Sequence, residues 1–549
     1  MKQLIFSCML ILTMLACSYG QNTITFGHTT SSAAAQKIGM AINAVENLYV
    51  DELNSNKLAE DAIISMLEKL DPHSNYMTPE EVKEMNEPLQ GNFDGIGIQF
   101  NMLTDTLYVV HVIPCGPSEK VGLLVGDRIL QVDDTLIAGV KMKNTDVMSH
   151  IRGPKGTTVN LKVLRNGEPK LLNFKIVRDK IPIYSLGAFY MIDETTGYIK
   201  LNRFAATTYN EFKTALDTLV RQGMVNLILD LQDNGGGYLG TAIEIANEFL
   251  QQGSLIVYTE GVHQKREDAR ATNKGAMQNG RLVVIVNEAS ASASEIVTGA
   301  IQDWDRGVIV GRRTFGKGLV QRPVPLLDGS MIRLTTARYY TPTGRSIQKP
   351  YENGNQESYA KDLIDRGNRG EMISADSIHF SDSLKFSTLV NKRTVYGGGG
   401  IMPDYFVPLD TTFRSTLLGE LNSNQITYKY TTRLIDSKRS AYKTQYPDFK
   451  TYNKDFAVTD QMLNELIESY RKDTTINKED SLSEERIAKD LVKSASLLKA
   501  QIKALIARDI FGENEYYQVI NKIIVPYNQA IEIISDDKVY NKLLSLPAK

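Results

Sequence analysis

Apolar side chains recur at helical spacing over residues 33–70, with Ile38, Ile42, Val45 and Leu48, then Leu58, Ala62, Met66 and Leu70 on repeating faces. The pattern stops at Asp71-Pro72, where the residue before a proline is steered out of the helical region. His73 follows and reads as a local hydrogen bonder beside a helix end. Over 89–180 the rhythm changes to short strands between glycine turns, at 96–100, 107–113, 128–132, 159–165 and 171–177, with a short helix over 116–123. From 181 to 410 strands alternate with helices. The runs 225–231 and 281–287 are continuously apolar, as strands covered on both faces are, and helices over 239–250 and 294–303 follow them. The class this predicts is α/β. Residues 413–549 are helical in pattern and rich in charge, with apolar faces at Met462, Leu463, Leu466 and Ile467, then Leu491, Leu497, Leu498, Ile502 and Leu505. A polar linker is expected at 474–484. Packing against the core is the simplest role for this tail; dimerisation or a substrate cap are the alternatives.

At 549 residues the chain has room for more than one domain. A net charge of −2 offers nucleic acid no general attraction. Lys2, the apolar run 4–15 and small residues up to Gly20 have the layout of a secretory signal peptide. That run is shorter than the roughly 20 residues a membrane span needs. Export to the periplasm or cell envelope is therefore expected, with cleavage after Gly20. The alternative is a lipoprotein anchored at Cys17, although Leu15 stands where such a site usually has a small residue. Cleavage after Gly20 leaves Cys115 as the sole cysteine, so no intramolecular disulfide can form. No cysteine/histidine pair has zinc-ligand spacing, and neither metal nor cofactor is expected.

The candidate chemistry lies in Ser290-Ala291-Ser292-Ala293-Ser294-Glu295 and Thr314-Phe315-Gly316-Lys317-Gly318. A serine hydroxyl is a weak nucleophile until a base takes its proton. Lysine can be that base only when neutral, which requires burial to pull its pKa from about 10.4 towards 7. Phe315, Leu319 and Val320 give Lys317 an apolar setting. Ser292 also suits a helix N-cap, a role serine often fills, and Ser290 or Ser294 could take that role instead. Lys317 has the competing reading of a solvated loop lysine. Asp230 and Asp233 do not make a Ser/His/Asp triad, because His263, the histidine nearest the core motifs, lies in a polar loop.

These segments resemble those of the C-terminal processing peptidases, serine proteases of the carboxyl-terminal protease type. Other stretches match that family in order: Leu70-Asp71-Pro72-His73-Ser74, Gly91-Asn92-Phe93-Asp94-Gly95-Ile96-Gly97-Ile98, Gly116-Pro117-Ser118, Gly126-Asp127, the run from Leu229 to Gly237, and Gly400-Ile401-Met402-Pro403-Asp404. The resemblance covers roughly 40–410. It implies Ser292 as nucleophile, Lys317 as general base and Gln321 as the residue that orients the lysine. One departure stands out: Asn234-Gly235-Gly236-Gly237 replaces the family's usual Asn-Pro-Gly-Gly, which puts local rigidity in doubt. An oxyanion hole is expected from the amide of Ala293 with that of Gly236 or Gly237.

The resemblance further implies a crotonase/Clp-like ββα-spiral protease core with an inserted PDZ domain and flanking helical regions. The expected division is a signal peptide (1–20), an N-terminal helical region (21–88), the PDZ domain (89–180), the serine protease core (181–412) and a C-terminal helical region (413–549). Gly95, Ile96, Gly97 and Ile98 form the expected peptide-binding loop, presenting amides to a substrate's terminal carboxylate while the peptide adds to a sheet edge. Arg178, at the exit of that region, is a candidate for coupling peptide occupancy to activity. Expected partners are protein or peptide substrates bound by their C-termini, with an adaptor or inhibitor and a homo-oligomer through the C-terminal helices left open. The rival reading is an inert peptide-binding scaffold of the cell envelope.

Overall fold

The computed structural model describes residues 32–103, 105–272, 275–473 and 482–545. The signal peptide, Cys17 and most of the expected 474–484 linker lie outside these residues.

The core is a six-stranded sheet in the order Leu186–Met191, Thr196–Leu201, Asn226–Asp230, Leu282–Val286, Val308–Gly311, Tyr405–Phe406. The first pair is antiparallel and the other four are parallel. Strand alternation divides the central side chains between two faces. Leu227, Leu229, Val284 and Val286 meet the helices Thr208–Arg221, Leu239–Asn247 and Ala293–Asp303. Ile228, Val283 and Ile285 meet Tyr527, Ala530, Ile533, Ile534 and Tyr540 of the helices Val525–Ser535 and Asp537–Ser545. Covering both faces explains the unbroken apolar runs. The covering layer on the second face comes from the chain's far end. The tail is thus two things: helices from Thr416 to Ile510 with their own apolar core, and a return segment that covers the second face of the core sheet.

A second sheet stands beside the first. Strand Met331–Tyr340 pairs with Leu319–Pro325 and Leu255–Gly261, and also with the short strand Asn75–Met77 from the N-terminal part. That pairing carries the segment 71–77 into the heart of the molecule.

Residues 98–177 form a separate β-module in the order Ile98–Leu103, Thr106–Val112, Arg128–Val132, Thr158–Leu164, Leu172–Val177, around a core of its own. The chain enters and leaves it through a paired two-stranded ribbon, Asn92–Gly95 against Asp179–Pro182. Sequence reading placed these strands within three residues at each end, but did not show the helix Asn144–Ile151.

The helical stretch 33–70 is broken in two, Ala33–Leu48 and Ser55–Leu67. Asn54 starts the second helix by accepting the Lys57 amide at 3.1 Å, which is the N-cap role that favours asparagine. The first helix fully buries no side chain among the described residues, and Leu48 is 82% exposed.

Candidate active site

Strand Leu282–Val286 ends in the turn that carries the three serines to helix Ala293–Asp303. The two outer serines are buried and committed. Ser290 Oγ donates to Leu231 O at 2.8 Å, and Ser294 Oγ donates to Asn234 O at 2.8 Å. Ser292 alone of the three is partly exposed. Its backbone sits at φ 55°, ψ −114°, a strained conformation for a residue with a Cβ, of the kind that clusters at functional sites and costs roughly 1–3 kcal/mol.

Gly236 lies directly against this turn. A Cβ there would fall 2.8 Å from Ser292 Cβ and 2.9 Å from Ala293 N, so only glycine fits. Asn234 supplies rigidity without a proline. It is fully buried, its Nδ2 donates to Leu201 O at 2.9 Å, and its carbonyl accepts the Ala291 amide at 3.0 Å. Its Oδ1 accepts the Gly236 amide at 2.9 Å. The Gly236 amide is thereby spent, whereas those of Gly237 and Ala293 have no acceptor among the described residues. Of the two glycines expected as oxyanion donors, the geometry favours Gly237.

Lys317 is brought beside Ser292 by a buried carboxylate. Glu295 Oε2 accepts the amides of both Ser292 and Lys317, each at 2.9 Å. Its Oε1 accepts the Gly316 amide at 2.8 Å and the Thr314 hydroxyl at 2.5 Å. Tyr339 closes the arrangement from the other side, its hydroxyl donating to Ser292 O at 3.2 Å and touching Lys317 O. Burial pushes the Glu295 carboxyl up to about 7 against these four donors. Burial also pulls the Lys317 ammonium down to about 8, helped by the charge of Arg333 and opposed by Glu295 and Asp71. A lysine at that value is substantially neutral in mildly alkaline solution, as a general base must be.

Gln321 stands on strand Leu319–Pro325 and donates from Nε2 to Thr335 Oγ1 at 3.2 Å. Thr335 Oγ1 in turn donates to Asp71 Oδ1 at 2.8 Å. Asp71 is buried and also holds the Ser74 hydroxyl at 2.5 Å and the His73 amide at 2.9 Å. His73 Nε2 meets the Tyr359 hydroxyl at 3.0 Å; burial and the nearby Lys317 hold its pKa at about 4, so it is neutral. The segment 71–74 therefore lies beside Lys317 and Gln321, and His73, expected as a local hydrogen bonder, bonds instead to Tyr359 from a distant part of the sequence. Sequence reasoning gave no role to Glu295, Tyr339, Asp71 or Thr335. For Glu295 a signal existed: it stands three residues after a serine before an apolar helix, the spacing of a capping box.

Gly95, Ile96, Gly97 and Ile98 line a separate cleft in the β-module, with Gly97 at φ +79°. Arg178 is buried within the same module. It donates to Ile151 O at 2.8 Å, His150 O at 3.0 Å and Thr157 Oγ1 at 3.1 Å, and so clasps the end of helix Asn144–Ile151. No hydrogen bond or ion pair links it to Ser292 or Lys317 among the described residues.

Comparison with known proteins sets this geometry in a family. The profile of peptidase family S41 matches residues 195–354 and that of the PDZ domain matches 95–176. The "Activating protease CtpB N-terminal domain" matches 18–81, and a family of unknown function (DUF8443) matches 417–512. A carboxy-terminal-processing protease of Bartonella bacilliformis is 38% identical over 320 residues, covering 57% of this chain and 72% of the relative. A probable CtpA-like serine protease of Staphylococcus epidermidis is 34% identical over 335 residues, covering 59% and 67%. Among solved structures, a photosystem II D1 C-terminal processing protease is 29% identical with a TM-score of 0.34, covering 58% of this chain and 91% of that one. Together with the α/β core, the family profiles and the curated relatives define a serine-type peptidase with a PDZ domain. The chain belongs to peptidase family S41, among the C-terminal processing peptidases.

Proposed function

We propose that the chain is an exported endopeptidase that catches substrates by their C-termini and cuts them with a Ser292/Lys317 dyad. The observation that carries the reading is the single carboxylate oxygen of Glu295 that holds both backbones in place. Neutral Lys317 takes the Ser292 hydroxyl proton as Oγ attacks the scissile carbonyl. The oxyanion forms against the amides of Ala293 and Gly237, beside the positive end of helix Ala293–Asp303. The Lys317 ammonium then protonates the departing amine, leaving an acyl-enzyme. Water, deprotonated by the same lysine, releases the acyl group and frees Ser292. Gln321, steadied through Thr335 and Asp71, orients the amine.

Residues 89–180 act as the peptide-binding domain, 181–412 as the protease core and 413–549 as the helical region. The 95–98 loop receives the substrate's carboxylate, and the chain extends towards Ser292. Arg178 acts through the helix it clasps, whose Met148 and Ile151 line the cleft. The apolar run 4–15 supports export.

A fluorophosphonate probe separates this reading from an inert scaffold. Labelling that disappears in Ser292→Ala and weakens strongly in Lys317→Ala supports the dyad. No labelling of the folded wild-type chain, at any pH up to 9 or so, sinks it.

A further inference from the structure

The PDZ sheet ends in an edge strand, Ile98–Leu103, whose outer side pairs with no other strand among the described residues, and such an edge offers backbone groups to an incoming peptide. Helix Asn144–Ile151 forms the facing wall, and between them lies a cleft of about 880 Å³. Ile98, Phe100, Met148 and Ile151 give it an apolar lining. Its third wall does not come from the PDZ domain. It is built by the turn 423–425, by Tyr428 and Lys429 at the start of helix Ile426–Gln445, and by Arg508 near the end of helix Glu484–Ile510.

The two regions press together nearby. Asp436, on the same helix as Tyr428, comes so close to Gly126 of the PDZ domain that a Cβ there would lie 2.9 Å from Asp436 Oδ1. The two regions thus approach closely on one chain, with Asp436 against Gly126.

The charges of the cleft have one sign. Arg152, Lys429 and Arg508 line it, and no aspartate or glutamate does among the described residues. Two of the cations are already matched: Arg152 Nη1 donates to Glu87 Oε2 at 2.8 Å and Lys429 Nζ to Asp473 Oδ2 at 2.9 Å. Arg508 is different. The carboxylate paired with it, Glu513, stands 4.0 Å away, and its guanidinium lies 5.6 Å from the ring centres of Tyr428 and Tyr516. A guanidinium that meets the Tyr428 hydroxyl, and whose paired carboxylate stands 4.0 Å off, keeps donors of its fork for a further carboxylate beside a peptide groove.

We propose that the C-terminal helical region completes the peptide site, with Arg508 receiving an acidic side chain upstream of the substrate's C-terminal residue. The ligand class is an acidic peptide tail with an apolar end. This rests on the 95–98 loop being the seat of the terminal carboxylate. The terminal carboxylate and the apolar last residue engage the PDZ domain, and the upstream acid engages a residue from another part of the chain. Tail selection is then shared between two regions.

The test is fluorescence anisotropy on the full chain carrying Ser292→Ala, which keeps the bound peptide intact. The probes are polar peptides with an apolar last residue and a single Glu at each upstream position in turn, each paired with a Gln control. At one position Glu binds about 5-fold tighter than Gln, and added salt reduces the gap. Arg508→Gln removes the gap and Arg508→Lys keeps part of it. Equal binding of Glu and Gln at every position overturns the proposal, as does a gap that survives Arg508→Gln. Should Arg508→Gln not fold, the Glu/Gln contrast, its salt dependence and Arg508→Lys decide the matter. Amidated peptides separate the two readings. If amidation abolishes binding while Glu and Gln stay equal, the loop keeps its role and Arg508 loses the one assigned to it. If amidation changes nothing, the loop reading fails and the proposal falls with it.

Discussion

The amides of Ser292 and Lys317 donate to the same atom, Glu295 Oε2, each at 2.9 Å. Residues from two different turns are thereby held in fixed register by one buried side chain. The hydrogen bonds are charge-assisted when Glu295 is ionised, and each such bond contributes about 1.5–3 kcal/mol.

Glu295→Gln keeps one acceptor oxygen and turns the other into a donor facing amides. Peptidase kcat should fall by about 100-fold, with KM changed far less, because the proposed dyad and not the proposed peptide cleft is disturbed. Steady-state kinetics with melting curves check this. Unchanged kcat would show that the dyad needs no such brace.

The pH profile follows from Lys317. Its ammonium is inactive as a base, and its pKa is pulled down to about 8. Activity should therefore rise with pH through that value and level off above it. The opposite sign, activity falling as Lys317 loses its proton, would mean that the charged form is the working one. Single-turnover rates across the range distinguish them.

Asp71→Asn removes a negative charge that favours the Lys317 ammonium. The rising limb should move to lower pH, while kcat drops because the Asp71–Thr335–Gln321 chain is loosened. Thr335→Val should lower kcat with less movement of the limb, since no charge is lost. A purely structural role for Asp71 would lower stability and leave the limb where it was.

Ile533→Ala tests the return of the chain's end onto the core sheet. The side chain is 2% exposed against the apolar second face. Truncation of a buried isoleucine costs about 2–5 kcal/mol, and the melting temperature should fall accordingly. A surface helix would show almost no change.

Much of this was legible in the sequence, and the reasons are local. Continuous apolar runs gave the central strands because both faces of the parallel sheet are covered, and short runs between glycine turns gave the strands of the PDZ domain. Ser292, Lys317 and Gln321 stood out through motifs whose chemistry is recognisable over a few residues. Long-range relationships left no such trace. Nothing near Asp71 or Thr335 reveals that strand Asn75–Met77 will pair with Met331–Tyr340 and bring the two together. Nor does the amphipathic pattern of Val525–Ser535 show that its apolar face covers Ile228 and Ile285 rather than other tail helices. The break at 49–54 was hidden because the same period resumes on both sides of it. Glu295 was visible as a capping residue, but its double duty needs Lys317 to arrive from another loop.

The most direct test of the central claim is cleavage of an unfolded protein with an apolar C-terminus by the purified chain, alongside Ser292→Ala and Lys317→Ala. The account predicts cutting by the wild type and none by either variant, with all three showing the same folded spectrum. Equal cutting by all three would contradict it.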